Sequence, residues 1–146
     1  MRTRIALAVA SLALLAAAHP ASAGTQLGLG GDWITEPEAG ALQLTLAVDR
    51  PLARGVTLGG RFGALIATDE IGPAVPVDLR LRFRVERVYV DGLVGPWFFF
   101  DDGEDSVRLH AAIGFGVVQR GGMQVGLEVG YVDPSAMIGI RLAWPF

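Results

Sequence analysis

The chain has 146 residues, enough for one domain, and a net charge of −3. It contains no Cys, which excludes a disulfide scaffold, a thiolate metal site, a thiol nucleophile and a lipid-modified N-terminal Cys. About half of the residues are hydrophobic, yet no stretch after residue 23 supplies the roughly 20 consecutive apolar residues of a membrane helix.

The chain opens with Arg2 and Arg4, followed by an unbroken apolar and small-residue run from Ile5 to Ala18. Ala21-Ser22-Ala23 then forms an A-x-A cleavage site. These parts, in this order and size, predict a secretory signal peptide over 1–23 and a mature domain over 24–146. The alternative is an N-terminal membrane anchor, for which the run is short. Removing Arg2 and Arg4 leaves ten Arg against fifteen acidic residues, a charge of −5. That balance and the lack of a Gly-rich phosphate motif argue against nucleic acid as a partner.

No internal repeat of solenoid or propeller length is present. The mature chain instead repeats with a period of two, the signature of strands with one apolar and one polar face. Residues 25–34 set Leu27, Leu29 and Trp33 against Gln26, Gly28, Gly30 and Asp32. Leu42, Leu44, Leu46 and Val48 alternate with Gln43, Thr45, Ala47 and Asp49. Residues 56–66 set Val56, Leu58, Phe62, Ala64 and Ile66 against Thr57, Gly59, Arg61 and Gly63. Val75 to Val85 alternates with Asp78, Arg80, Arg82, Arg84 and Glu86. The fifth segment, 88–100, starts with Val88, Val90 and Val94 opposite Tyr89 and Asp91, then loses its pattern at Gly95-Pro96. There Leu93 and Trp97 would face the polar side, so a face-switching bulge is expected. The last three segments run from Arg108 to Val117, Met123 to Tyr131 and Ile138 to Phe146.

Eight strands are an even number, as single-chain bacterial membrane barrels require. Connections 50–55, 86–88 and 119–122 are short and carry Arg50, Arg54, Arg87 and Arg120. Connections 35–40, 67–74, 101–106 and 132–135 are mostly longer and carry acidic residues. This asymmetry predicts a periplasmic rim of short turns and an outer rim of loops. Trp33, Trp97, Phe98, Phe99, Phe100 and Tyr131 near one rim, with Trp144 and Phe146 at the other, read as two aromatic girdles.

The polar faces place the charges. They hold Arg61, Arg80, Arg82, Arg84, Arg108 and Arg141 against Asp32, Asp49, Asp78, Glu86, Asp91 and Glu128, six of each sign. Together with His110 they are expected to form a charge network that plugs the lumen. Eight strands enclose just enough room for side chains, and an unpaired buried charge is costly. The fold class expected is all-β: an eight-stranded antiparallel up-and-down transmembrane barrel behind a cleaved signal peptide.

These features together resemble the small outer-membrane β-barrel family, which includes the barrel domain of outer-membrane protein A and the opacity-type surface proteins. The likeness spans the mature chain and includes Val48 to Gly63, similar to the strand-turn-strand at the first periplasmic turn of such proteins. Its most specific element is the final strand, Met137 to Phe146. The resemblance implies that Ile138, Ile140, Leu142, Trp144 and Phe146 are the signal read by the barrel-assembly machinery. Pro145 departs from the pattern and is expected to weaken the closing pair.

The family spans many functions. The function expected is a structural or surface-interaction role in the bacterial outer membrane. Partners expected are membrane lipids, the assembly machinery and an extracellular partner at the acidic loops. Alternatives are a narrow ion-conducting barrel, a lipid-modifying enzyme and a soluble exported barrel with an apolar ligand. An acyl hydrolase or transferase would need His110 with Ser106 or Ser135 and Asp105, Asp133 or Glu128, but no G-x-S-x-G motif is present. No catalytic residue, cofactor or structural metal is assigned. Asp101-Asp102-Gly103-Glu104-Asp105 lacks EF-hand spacing and reads first as a solvated acidic loop, second as a weak Ca²⁺ or Mg²⁺ site.

Overall fold

The computed structural model describes residues 24–36, 38–68, 71–100 and 105–146. The signal-peptide expectation for 1–23 and the cation-loop reading of 101–104 lie outside the described residues. The strands are β1 (Gly24–Thr35), β2 (Glu38–Ala53), β3 (Val56–Ala67), β4 (Ala74–Val85), β5 (Val88–Phe100), β6 (Asp105–Val118), β7 (Gln124–Val132) and β8 (Ser135–Pro145).

Each strand pairs antiparallel with its sequence neighbours, and β8 pairs with β1 from Ile34↔Met137 to Gln26↔Pro145, closing the barrel. Closure leaves no open sheet edge. The N–H of Phe146 donates to the carbonyl of Thr25 at 3.1 Å, so the seam stays paired past Pro145, which itself supplies no donor.

The alternation places the apolar rows outside. Leu29, Leu44, Leu79, Ile113, Val129 and Ile140 are exposed, whereas Asp78, Arg80, Glu128 and His110 are buried. This inverts the arrangement of a soluble barrel and opposes the reading of an exported barrel with an apolar ligand inside.

Three sequence expectations are corrected. First, β5 has no face-switching bulge. Its register with β4 keeps one offset on both sides of Gly95-Pro96, from Ala74↔Phe99 to Val85↔Val88, and its pairing with β6 is continuous from Phe100↔Asp105 to Val88↔Val117. Leu93, Trp97 and Phe99 therefore point inward, and Trp97 and Phe99 leave the predicted girdle. The parity holds because the lumen changes chemistry along its length. Near the rim that carries residues 68–73, it is lined by Ile34, Leu65, Trp97, Phe99, Val132 and Met137, with Ile71 packed among them. A Cβ on Gly95 would lie 1.9 Å from the Val77 carbonyl oxygen, so this Gly reflects close strand approach, not a bulge. A register shift occurs instead in β2, between Pro51 and Ala53.

Second, the strands run further than predicted, so the supposed loops shrink. β1 and β2 are joined through residues 36–37, β7 and β8 through 133–134, and β5 and β6 through 101–104. Residues 68–73 form the longest connection at that rim. The two rims differ much less in loop length than expected. At the opposite rim Arg54-Gly55 and Glu86-Arg87 make the tight turns, with Gly55 at φ 74° and Glu86 at φ 52°.

Third, Arg84, Glu86 and Arg108 do not join the buried charges. Arg84 and Glu86 are exposed at the tight-turn rim, where the Arg84 Nε donates to the Glu86 carbonyl at 2.9 Å. Arg108 is partly exposed, with its guanidinium 4.7 Å from the centre of the Phe99 ring.

Candidate functional site: the ion-pair network of the barrel interior

Consecutive inward positions on β4 present Asp78, Arg80 and Arg82, while β1, β2, β3, β5, β6, β7 and β8 contribute Asp32, Asp49, Arg61, Asp91, His110, Glu128 and Arg141. Ten of the thirteen predicted network residues thus share the interior. Their balance is four Arg against five carboxylates, with His110 set between two of the latter, not the six-to-six equality read from strand parity.

Arg61 is the hub. Its Nη2 lies 2.7 Å from Asp78 Oδ2 on the adjacent strand, and its Nη1 lies 2.6 Å from Glu128 Oε2 on the far wall. Arg141 extends the chain, reaching Glu128 Oε1 at 2.9 Å and Asp32 Oδ1 at 2.6 Å. Asp78 is capped from the apolar end. Trp97 Nε1 donates to its Oδ1 at 3.1 Å, and His110 Nδ1 lies 2.7 Å from the same atom. The His110 ring also packs on Trp97, with centroids 4.4 Å apart.

Nearer the tight-turn rim are two further groups. Arg82 binds Asp91 through two nitrogens at 2.6 and 2.7 Å, donates to Gln124 Oε1 at 2.6 Å, and lies 4.1 Å over the Tyr89 ring. Arg80 forks onto both oxygens of Asp49 and reaches Gln26. Forked guanidinium–carboxylate pairs fix direction as well as charge. The cavity between these groups and the Arg61 hub is about 40 Å³. A barrel of eight strands is filled by its own side chains, and here charged side chains do the filling.

Sequence reasoning missed several participants. Gln26, Tyr89 and Gln124 carry the polar parity of lumen residues and add uncharged partners to the Arg side chains. Trp97 is less legible, because a large apolar ring on a polar face reads as a register fault. The signal was its indole N–H, a donor that requires a partner when buried.

The possible Ser–His–acid arrangement is not assembled at His110. Its Nδ1 faces Asp78, and its Nε2 lies 3.8 Å from Glu128. The Ser135 hydroxyl donates to the Glu36 carbonyl. Among the described residues, no group of three His, Cys, Asp or Glu is placed to hold a metal ion.

The closed barrel matches solved membrane barrels in shape. A designed transmembrane β-barrel superposes with a TM-score of 0.63 at 10% identity, covering 88% of this chain and 98% of that one. The fold is that of a small eight-stranded outer-membrane barrel. The outer membrane enzyme PagL gives a TM-score of 0.56 at 14% identity over 83% of this chain and 99% of its own. Ail, the attachment invasion locus protein of Yersinia pestis, gives 0.57 at 13% identity over 84% and 96%. No protein-family profile and no curated protein sequence matches the chain. An enzyme and an attachment protein share this architecture, so the fold alone carries no single activity.

Proposed function

We propose that the chain is an outer-membrane barrel of a Gram-negative bacterium, exported by a signal peptide over 1–23 and inserted as the domain 24–146. It acts as a closed structural element, with its acidic rim available to an extracellular partner. Outer-membrane lipids surround it, and the barrel-assembly machinery reads Ile138, Ile140, Leu142, Trp144 and Phe146 on β8. The supporting observation is the inverted burial: exposed apolar rows enclose a network of three buried Arg, the half-buried Arg141 and five buried carboxylates. Hydrocarbon suits the outer rows and would penalise those charges.

The same network makes the barrel a plug. Arg61 spans the lumen between β4 and β7 carboxylates, and the apolar layer around Trp97 closes the space beyond it. Planar-bilayer recordings of the pure protein test both claims. Insertion with no stable conductance is the expected result. Large, long-lived channels would replace the plug with the narrow-pore reading.

A further inference from the structure

The Arg residues outside the interior are sorted by rim. Of the chain's twelve Arg, Arg2 and Arg4 precede the barrel, Arg61, Arg80 and Arg82 are buried in the network, and Arg141 joins it half-buried. Arg108 lies on the inner face of β6, over Phe99. The remaining five, Arg50, Arg54, Arg84, Arg87 and Arg120, are all exposed at the tight-turn rim. Two flank the β2–β3 turn, two the β4–β5 turn, and Arg120 lies between β6 and β7.

Carboxylates are sorted the other way. Five are buried in the network, Glu36, Glu38 and Asp133 are exposed at the opposite rim, and the other six belong by sequence to 69–70 and 101–105, next to strand ends there. Among the described residues, Glu86 is the only exposed carboxylate at the tight-turn rim. The collar therefore has a local excess of four positive charges. Immediately beside it the outward rows carry Leu52, Phe83, Val85 and Trp144, all exposed. Guanidinium groups above an apolar and aromatic band can keep their heads at the water boundary while their stems lie on the apolar surface. No Lys is used anywhere in the chain, and guanidinium is the cation that pairs with phosphate through a planar fork.

We propose that this rim is a collar for anionic phospholipid headgroups, which the five Arg hold by their phosphates in the leaflet around the tight turns. The inference rests on the membrane-barrel reading and adds the chemistry of one leaflet. Because the three turns are spread around the barrel, a given boundary lipid meets one or two Arg rather than all five. Selectivity is therefore modest per lipid and repeated around the circumference.

The test is lipid selectivity of the full chain folded into phosphatidylcholine vesicles. Spin-labelled phosphatidylglycerol and spin-labelled phosphatidylcholine are compared at the protein boundary by electron spin resonance. Phosphatidylglycerol should be preferred by roughly three- to fivefold, the factor supplied by one cation near an anionic surface. Salt at about 1 M, where the Debye length is about 3 Å, should bring the ratio close to one. The variant Arg54→Gln/Arg87→Gln/Arg120→Gln changes only exposed turn residues and should lose most of the preference. Glu36→Gln/Glu38→Gln, at the other rim, should keep it. Glycerol phosphate should compete no better than NaCl at equal ionic strength. Stronger competition would mean a site for free phosphate and overturn the lipid assignment. Insertion without preference, or preference unchanged in the triple variant, refutes the collar alone. Failure to insert refutes the membrane reading and the collar with it.

Discussion

Arg61→Leu should be among the most damaging single changes available to this barrel. The guanidinium makes hydrogen bonds of 2.6–3.1 Å to Asp78 and Glu128, whose side chains are 0% and 2% exposed. Leucine removes the cation and leaves both carboxylates buried. Breaking a buried pair by removing one partner costs about 3–5 kcal/mol. Asp78 keeps Trp97 and His110, and Glu128 keeps Arg141, which offset part of the loss. The expected cost is therefore near the lower end, about 3 kcal/mol, or roughly a hundredfold in the folding equilibrium. Urea titration in phospholipid vesicles, followed by the gel-mobility difference between folded and unfolded barrel, measures it. Arg61→Lys should recover part of the loss, because an ammonium keeps the charge but cannot fork across two carboxylates. Arg84→Leu is the control: its exposed position at the rim predicts a change within about 0.5 kcal/mol. A cost below about 1 kcal/mol for Arg61→Leu, or an equal cost for Arg84→Leu, would refute the network as the source of interior stability.

Other expectations probe the remaining walls of the structure. Leu44 is exposed at the middle of β2, so Leu44→Arg should lower stability in bilayers by about 2–4 kcal/mol and leave the interior untouched, as a vesicle refolding titration would show. Gly95→Val would force its side chain against the Val77 carbonyl and should cost about 1–3 kcal/mol; wild-type stability in the same titration would mean the strands separate freely there. Deleting Phe146 should lower outer-membrane levels in cells while detergent refolding stays near normal. Unchanged levels in cells would remove the assembly-signal role from β8.

The strand count, the outward rows and most of the buried charges were legible because a membrane barrel separates lipid and lumen by parity alone. A period of two in Leu42 to Val48 or Ile138 to Phe146 has one reading in that setting. What parity does not encode is depth. Arg84 has the same parity as Arg82, yet it sits past the last enclosed layer and faces water. Arg108 likewise has inward parity but lies toward the opposite rim, over Phe99. The misreading of β5 has the same origin. Leu93, Trp97 and Phe99 violate a rule that inward means polar, and that rule fails where the lumen becomes an apolar layer. Loop lengths were overestimated because Gly, Pro and acidic residues near the rim were read as turn signals, although Glu38 to Ala41 continues the ladder opposite Asp32 to Thr35.

The interior charges also bear on how the barrel finds its register. The outer rows are nearly uniform Leu, Ile and Val, so hydrocarbon barely distinguishes one apolar row from the next. A one-residue slip of β4, however, would turn Asp78, Arg80 and Arg82 outward together, since side chains alternate faces along a strand. Each Arg so displaced near the midplane would cost about 2–4 kcal/mol, and its former partner would be left buried and unpaired. A two-residue slip restores the parity but moves the forks: in one direction Arg80 would lie where Asp78 now meets Arg61, setting two cations against each other, and in the other Pro76 would lie there, leaving Arg61 without that carboxylate. The order Asp-x-Arg-x-Arg on β4, matched to Arg61 on β3, Asp49 on β2 and Asp91 on β5, therefore penalises both errors. A buried ion-pair network need not add much net stability over an apolar core to be useful here; its distinct partners specify one alignment of eight otherwise similar strands.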